Sequence, residues 1–391
     1  MAHCKIMKSI KLGLLPRILL AIALGVATGF VMPDGVIRVF LTFNGIFNQL
    51  LGFAIPLIIV GMVIPAISDL GRSAGRMLLL TVALAYGATL VAGTLSYLTG
   101  VLTFPSLISS QAAEQIAEGV KLTPYFSLTI PPLMDVMTAL VVAFLLGLGI
   151  AYVKGDVLRR GAAEFRDIIS NFIEKIIIPL LPIYIYGIFL DMTAAGEVGQ
   201  ILGLFIKIIG IIFALHIVWL VGLYCVAGAI GGRNPLKMLS TMMPAYFTAL
   251  GTQSSAATIP VTLKQAQKIG VSDDVAGFVI PLCATIHLSG SMLKIVACSL
   301  ALMMMQGMEY DFALFAGFIA MLGVTMVAAP GVPGGAIMAA LGVLASMLGF
   351  TAEDQALMIS LYVAMDSFGT ACNVTGDGAL AIIVDKLKKT R

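Results

Sequence analysis

The sequence predicts an all-α polytopic membrane protein with eight transmembrane helices and two re-entrant helical hairpins. Three observations predict it. The chain of 391 residues is 60% hydrophobic and 11% charged, with a mean hydropathy of +1.05, whereas a soluble domain carries about 25% charged residues. Most of its apolar runs reach the roughly 20 residues a helix needs to cross a bilayer core, far more than a barrel strand uses. In the C-terminal half the runs are cut by polar or Gly-Pro segments into arms too short to cross. A net charge of +3 is too small to point to nucleic acid.

The spans follow in order. The first two cover about 12–32 and 38–67, with the turn Pro33-Asp34-Gly35 between them. The first runs past signal-peptide length without a convincing cleavage site, so it is expected to be retained. Span three is about 75–104, and a less apolar outer stretch, about 105–130, precedes span four at about 132–153. Asp135 there reads as a hydrated helix end. Span five, about 166–193, contains Pro179 and Pro182 and should kink. Span six, about 198–230, carries Trp219 and His216, the latter read as a satisfied core residue.

Charge orients these spans. Lys5, Lys8, Lys11, Arg72, Arg76, Arg159, Arg160, Arg166, Arg233, Lys237, Lys386, Lys388, Lys389 and Arg391 cluster at one set of ends. Glu114, Glu118, Glu309, Asp311, Glu353 and Asp354 mark the other. Both termini are therefore expected to be cytoplasmic. Cys4, Cys225, Cys283, Cys298 and Cys372 show no disulfide or metal spacing. The 22 Met and 41 Gly suit close helix packing and moving parts.

The pattern changes after Arg233. Asn234-Pro235 is a good N-cap and first-turn pair. The following run is cut by TQSSAATIP, Thr252 to Pro260, and ends at Lys264 and Lys268. Basic residues at both ends make it a re-entrant hairpin with a Ser-rich tip. A run over about 272–306 is broken by HLSGS, His287 to Ser291. A second hairpin, about 312–349, has the tip APGVPGG, Ala329 to Gly335, and acidic ends, so it enters from the other side. The last helix starts near a capping box at Thr351-x-x-Asp354. It carries Asp366, Thr370, Asn373 and Asp377 at i, i+4, i+7 and i+11, which fall within about 60° on one helix face. Carboxylates at membrane depth cost several kcal/mol unless paired or hydrated, so the stripe should face a site inside the protein. Non-helical backbone at that depth is tolerated only around a protein-lined or watery cavity. Paired interrupted segments in inverted arrangement point to a secondary transporter.

Four ordered motifs carry a resemblance: Ser254-Ser255 before Thr258-Ile259-Pro260-Val261-Thr262, PLCATI before the broken helix, GVPGGAIM in the second tip, and NVTGD at Asn373 to Asp377. Together they resemble the dicarboxylate/amino-acid:cation symporter family, which includes the excitatory amino acid transporters, over nearly the whole chain. The resemblance implies a homotrimer in the plasma membrane (of a bacterium, by family style) and an elevator mechanism. Residues 1–70 and 105–195 would form a static scaffold, and 71–104 and 196–391 a moving transport domain. It implies cation-coupled symport of an amino acid or dicarboxylate, with no cofactor other than sodium or protons as coupling ions. A neutral amino acid exchanger and a channel-like carrier of small organic anions are the alternatives.

The resemblance also assigns residues. Asp366 would take a substrate amine. Ser254, Ser255, the tip residues Gly331, Val332, Pro333 and Gly334, and Asn373 would take a carboxylate, and Thr370 would touch substrate. Gly369 stands where acidic-substrate members carry arginine. Lys294, seven residues after His287, either replaces that missing cation or pairs structurally with a carboxylate of the last helix. In the family's sodium-binding NMDGT, His287 and Ser289 replace Asn and Asp. Thr81, Leu84 and Ala85 stand where span three would supply oxygens, so one sodium site is expected to be lost. Thr285, Asn373 and Asp377 remain as cation-site candidates. Protons on His287 or Asp377 replacing sodium, and a structural role for His287, are equally open. An intramembrane aspartyl protease, suggested by TGDG, is excluded because Asp366 and Asp377 are about 16 Å apart along a straight helix. No nucleotide-binding motif points to a pump.

Overall fold

Apolar runs without access to water become helices because their backbone groups must satisfy one another. The computed structural model describes residues 13–72, 76–108, 122–153, 155–196, 198–327, 329 and 334–389, and among these every regular element is helical. Helix α1 (Leu14–Gly29) is followed by α2 (Asp34–Arg72), which runs through Pro56 and Pro65. Helix α3 (Arg76–Thr103) ends in a 3₁₀ turn, Phe104–Ser106. Helix α4 (Val136–Tyr152) is capped by Asp135, whose carboxylate accepts from the Thr138 N–H at 2.9 Å. Asp135 is thus a helix cap, as its position predicts. Helix α5 (Val157–Phe172) and α6 (Ile178–Ala194) are joined by a π-helical turn, Ile173–Ile177. The widened turn sits immediately before Pro179, which lacks the N–H that the regular ladder would use. Helix α7 spans Val198–Gly231.

The second half holds the interrupted elements. Helix α8 (Pro235–Thr252) starts at Asn234, whose side chain accepts from the Lys237 N–H at 3.0 Å. Helix α9 (Ser255–Lys268) turns back from it after only Gln253 and Ser254. The break is narrower than the polar run because Ser254 caps α9, and Ser255 to Pro260 enter its first turns. Gln253 supplies the turn with a left-handed φ of 53°. Arg233 donates to the carbonyls of Ile269 and Gly270, tying both ends of this hairpin together.

Helices α10 (Asp273–Ile286) and α11 (Ser289–Met305) are separated by His287 and Leu288 alone, since Ser289 to Ser291 form the first turn of α11. Helices α12 (Phe312–Met326) and α13 (Gly335–Leu348) are the arms of the second hairpin. Gly331, Val332 and Pro333 of its tip lie outside the described residues, as do Cys4, Lys5, Lys8, Lys11, Glu114, Glu118 and Arg391. Helix α14 (Ala352–Ala364) begins with the predicted capping box: Thr351 Oγ1 accepts from the Asp354 N–H at 3.2 Å, and Asp354 Oδ2 accepts from the Thr351 N–H at 2.9 Å.

One expectation is corrected here. The last helix is not straight: it bends by 62° between α14 and α15 (Asp366–Lys389). Met365 leaves helical geometry, and its carbonyl starts the next ladder by accepting from Phe368 and Gly369. Asp366 consequently stands in the first turn of a helix rather than mid-span.

Helix α15 is the axis of the second half and packs against α7, α8, α9, α10 and α11. Ser272 and Lys388 bond Asp385 and Asp274 respectively, which joins the start of α10 to the end of α15. At the other end of α10–α11, Gln306 donates to Asp354. The two hairpins therefore enter from opposite ends of that axis. Among the described residues five helical stretches are long and apolar enough to cross a membrane, Asp34–Ser68, Arg76–Ser106, Val157–Ala194, Leu202–Gly231 and Asp273–Met305. The bent pair α14–α15 makes a sixth. The apolar part of α10–α11 is 89% buried inside the protein, so this broken span is enclosed by protein.

Candidate functional site

The first hairpin tip, the break in α10–α11, the start of α13 and the bend before α15 meet around one cavity of about 40 Å³. Gln253 and Ser255 line it from the first tip, and Ala329 and Ala336 from the second hairpin. Ala284, Thr285, Leu288 and Ser291 line it from the broken span. Tyr362, Asp366, Thr370 and Asn373 complete the wall. The stripe of α15 thus faces the cavity as its spacing predicts, for three of its four members.

Asp366 sits where the helix dipole favours a carboxylate. Its Oδ2 accepts from the Gly334 N–H at 2.8 Å. Gly334 has φ +76°, a conformation that suits glycine and aims this N–H at the carboxylate. The other oxygen, Oδ1, lies 3.4 Å from Lys294 Nζ. Lys294 is fully buried. Its Nζ also lies 3.3 Å from the Met365 carbonyl and 3.6 Å from the centroid of the Tyr362 ring. A buried ammonium is tolerable only with such partners. A Cβ at residue 369 would stand 2.5 Å from both Cε and Nζ of Lys294. Gly369 and Lys294 are therefore one feature: the lysine occupies the space that glycine leaves. Of the two readings of Lys294, the geometry shows the carboxylate pair.

Asn373 joins the helices. Its Oδ1 accepts from the Gly290 N–H at 2.8 Å, and its Nδ2 donates to Ser291 Oγ at 3.3 Å. Ser291 in turn bonds the Tyr362 hydroxyl at 2.8 Å. A Cβ on Gly290 would lie 2.7 Å from the Gly369 carbonyl, which is why glycine stands where α11 meets α15. Ser254 caps α9 by accepting from the Ala257 N–H at 3.3 Å, leaving Ser255 as the tip serine on the cavity.

A second cluster lies outside the cavity wall. His287 Nδ1 and Asp377 Oδ1 are 2.8 Å apart, both buried, and His287 Nε2 has no protein partner. Ser289 Oγ accepts from Trp219 Nε1 at 3.0 Å, and His216 Nε2 lies 3.0 Å from the Gly290 carbonyl. His216 and Trp219 thus brace the break from α7; His216 is buried as expected of a core residue, but only half satisfied, because its Nδ1 has no protein partner. Thr285 donates to the Leu282 carbonyl and Thr81 to the Met77 carbonyl. Thr81, Leu84 and Ala85 are not among the cavity-lining residues. The side-chain oxygens of Ser289 and Asn373 and one oxygen of Asp377 are therefore engaged by protein donors or by His287, and among the described residues no group of three or more His, Cys, Asp or Glu gathers as a metal cluster. Thr285 remains at the cavity.

Sequence reasoning missed Gln253, Ser291 and Tyr362. Ser291 belongs to the HLSGS break, and Tyr362 precedes Asp366 by four residues, so both had a positional signal. Gln253 likewise belongs to the polar run Thr252 to Pro260 that marks the first hairpin tip.

Interrupted helices of membrane length around a buried polar cavity define a multi-pass membrane protein whose site lies inside the helix bundle. The chain belongs to the sodium:dicarboxylate symporter family, whose model matches residues 14–387. It is 25% identical over 394 residues to the serine/threonine transporter SstT of Acinetobacter baumannii, covering 96% of this chain and 97% of that one. The serine/threonine transporter SstT of Acinetobacter baylyi is 24% identical over 411 residues, 97% of this chain and 99% of that one. Excitatory amino acid transporter 2 of Mus musculus is 26% identical over 257 residues, 64% of this chain and 44% of that one. The family makes the chain a cation-coupled membrane transport protein rather than an enzyme.

Proposed function

We propose that the protein is a secondary active transporter that moves an amino acid or a dicarboxylate across the plasma membrane together with sodium, protons or both. One observation carries the reading: Asp366, Thr370 and Asn373 face a cavity where two hairpins from opposite ends meet two helix breaks. Helix N-termini at Ser255 and Gly335 aim backbone N–H groups and positive dipole ends toward it, which suits a carboxylate. The transport domain is residues 71–104 and 196–391, moving elevator-fashion against a scaffold of 1–70 and 105–195 in a homotrimer. The fold comprises eight transmembrane helices and two re-entrant hairpins, with both termini cytoplasmic.

Coupling divides between two places. Sodium would use Thr285 and nearby carbonyls. The His287–Asp377 pair stands where an oxygen site would otherwise form, and a proton shared by this pair supplies the cation there. A second reading is a neutral amino acid exchanger. It is favoured by the serine/threonine transport named for the relatives and by Gly369, which presents no charge to a side chain.

Uptake into liposomes holding the purified protein tests these readings. Aspartate, glutamate, serine, alanine, threonine and succinate are each offered under a sodium gradient or a pH gradient. Saturable uptake driven by either gradient is expected. Exchange without any gradient would favour the second reading, and flux without saturation or counterflow would favour a channel-like carrier.

A further inference from the structure

We propose that Lys294 is a tethered ammonium that fills the amine position of this cavity, so that the ligand is a small carboxylate carrying no ammonium group. The inference rests on the transport reading above and narrows its substrate class. Among the described residues Asp366 is the only acidic side chain on the cavity. A ligand ammonium bound there would have no other carboxylate to pair with. Both of its oxygens already have donors, the Gly334 N–H at 2.8 Å and Lys294 Nζ at 3.4 Å.

Lys294 cannot step aside. It is fully buried, and its Nζ is held by the Met365 carbonyl and the Tyr362 ring as well as by Asp366. Leaving that position would strand its charge in the protein interior. A ligand ammonium would therefore meet a carboxylate already neutralised and a like charge beside it. The rest of the wall offers donors. Ser255 and Thr370 present hydroxyls, and the starts of α9 and α13 present backbone N–H groups. Donors without a free carboxylate favour an anion over a zwitterion. Gly369 belongs to the same device, because any side chain there would push Lys294 off Asp366.

The test uses the full-length purified protein and matched ligand pairs: succinate against aspartate, glutarate against glutamate, lactate against alanine. The chain has one tryptophan, and Trp219 bonds Ser289 beside the cavity, so its fluorescence reports binding. The native protein is expected to bind the ammonium-free member of at least one pair about tenfold or more tightly. Lys294→Met is expected to reverse that preference by freeing Asp366. Because that variant leaves a carboxylate buried alone and can fail to fold, Lys294→Met with Asp366→Asn is measured too, and is expected to bind both members alike. Native protein that binds or takes up the amino acids as well as their ammonium-free partners overturns the proposal and leaves the transport reading standing. An unchanged preference in a folded Lys294→Met protein overturns it equally. No binding or uptake of either class overturns the transport reading with it.

Discussion

At Gly369 a methyl group would stand 2.5 Å from the end of Lys294, a contact no real side chain sustains. Gly369→Ala should destabilise the protein by about 1–3 kcal/mol, the usual cost of overpacking. Thermal unfolding in detergent checks this, and a melting temperature equal to that of the native chain would mean that the end of the Lys294 side chain moves aside at little cost. A second buried pair gives a second prediction. His287→Ala leaves the Asp377 carboxylate alone in the interior, and removing one partner of a buried pair costs about 3–5 kcal/mol. Changing both partners, His287→Leu with Asp377→Asn, should recover most of that loss while removing the response of uptake to a pH gradient. At this scale the sequence was most legible where period alone decides. Asp366, Thr370 and Asn373 share one face because they follow at i, i+4 and i+7, and the cavity bears that out. A carboxylate of the last helix was one of two sequence readings for the partner of Lys294; which carboxylate, and the choice between the readings, were not legible, because they depend on how α11 lies against α15, which no local pattern encodes.

The hairpins and the helix breaks were legible as elements, but their edges were not. Runs of Ser, Thr and Ala read as non-helical over Thr252 to Pro260, yet Ser254 caps α9 and the residues after it are helical. The bend at Met365 left no signal of Gly or Pro, so α14 and α15 read as one helix. The base of the first hairpin rests on Arg233, which bridges the carbonyls of Ile269 and Gly270. Arg233→Ala should cost about 1–2 kcal/mol, the scale of charge-assisted hydrogen bonds discounted for partial exposure. Amide exchange at residues 269–271 should quicken first. At the second capping site, Thr351→Val removes one half of the box and should cost about 1 kcal/mol of stability in the same unfolding assay.

Across the whole molecule, the second hairpin touches the first half of the chain. A Cβ at Gly342 of α13 would stand 2.8 Å from Ile55 Cγ2 of α2 and 2.8 Å from Val136 Cγ2 of α4. If the elevator proposal holds, those surfaces must separate or slide in each cycle. Cysteines introduced at Ile55 and Gly342 should cross-link under mild oxidant, abolish uptake, and restore it on reduction. Uptake that persists through complete cross-linking would rule out relative motion at that contact. The membrane potential acts on all such motion, at about 2.3 kcal/mol per elementary charge per 100 mV. In such a cycle Lys294 and Asp366 would travel together as one positive and one negative charge. Their joint displacement does no net electrical work. The voltage dependence of the cycle is thus left to the ligand, to the accompanying cations and to the other buried acids, Asp354, Asp377 and Asp385, and an anionic ligand entering a negatively polarised cell must bring at least as many positive charges as it carries negative ones to avoid moving against the field.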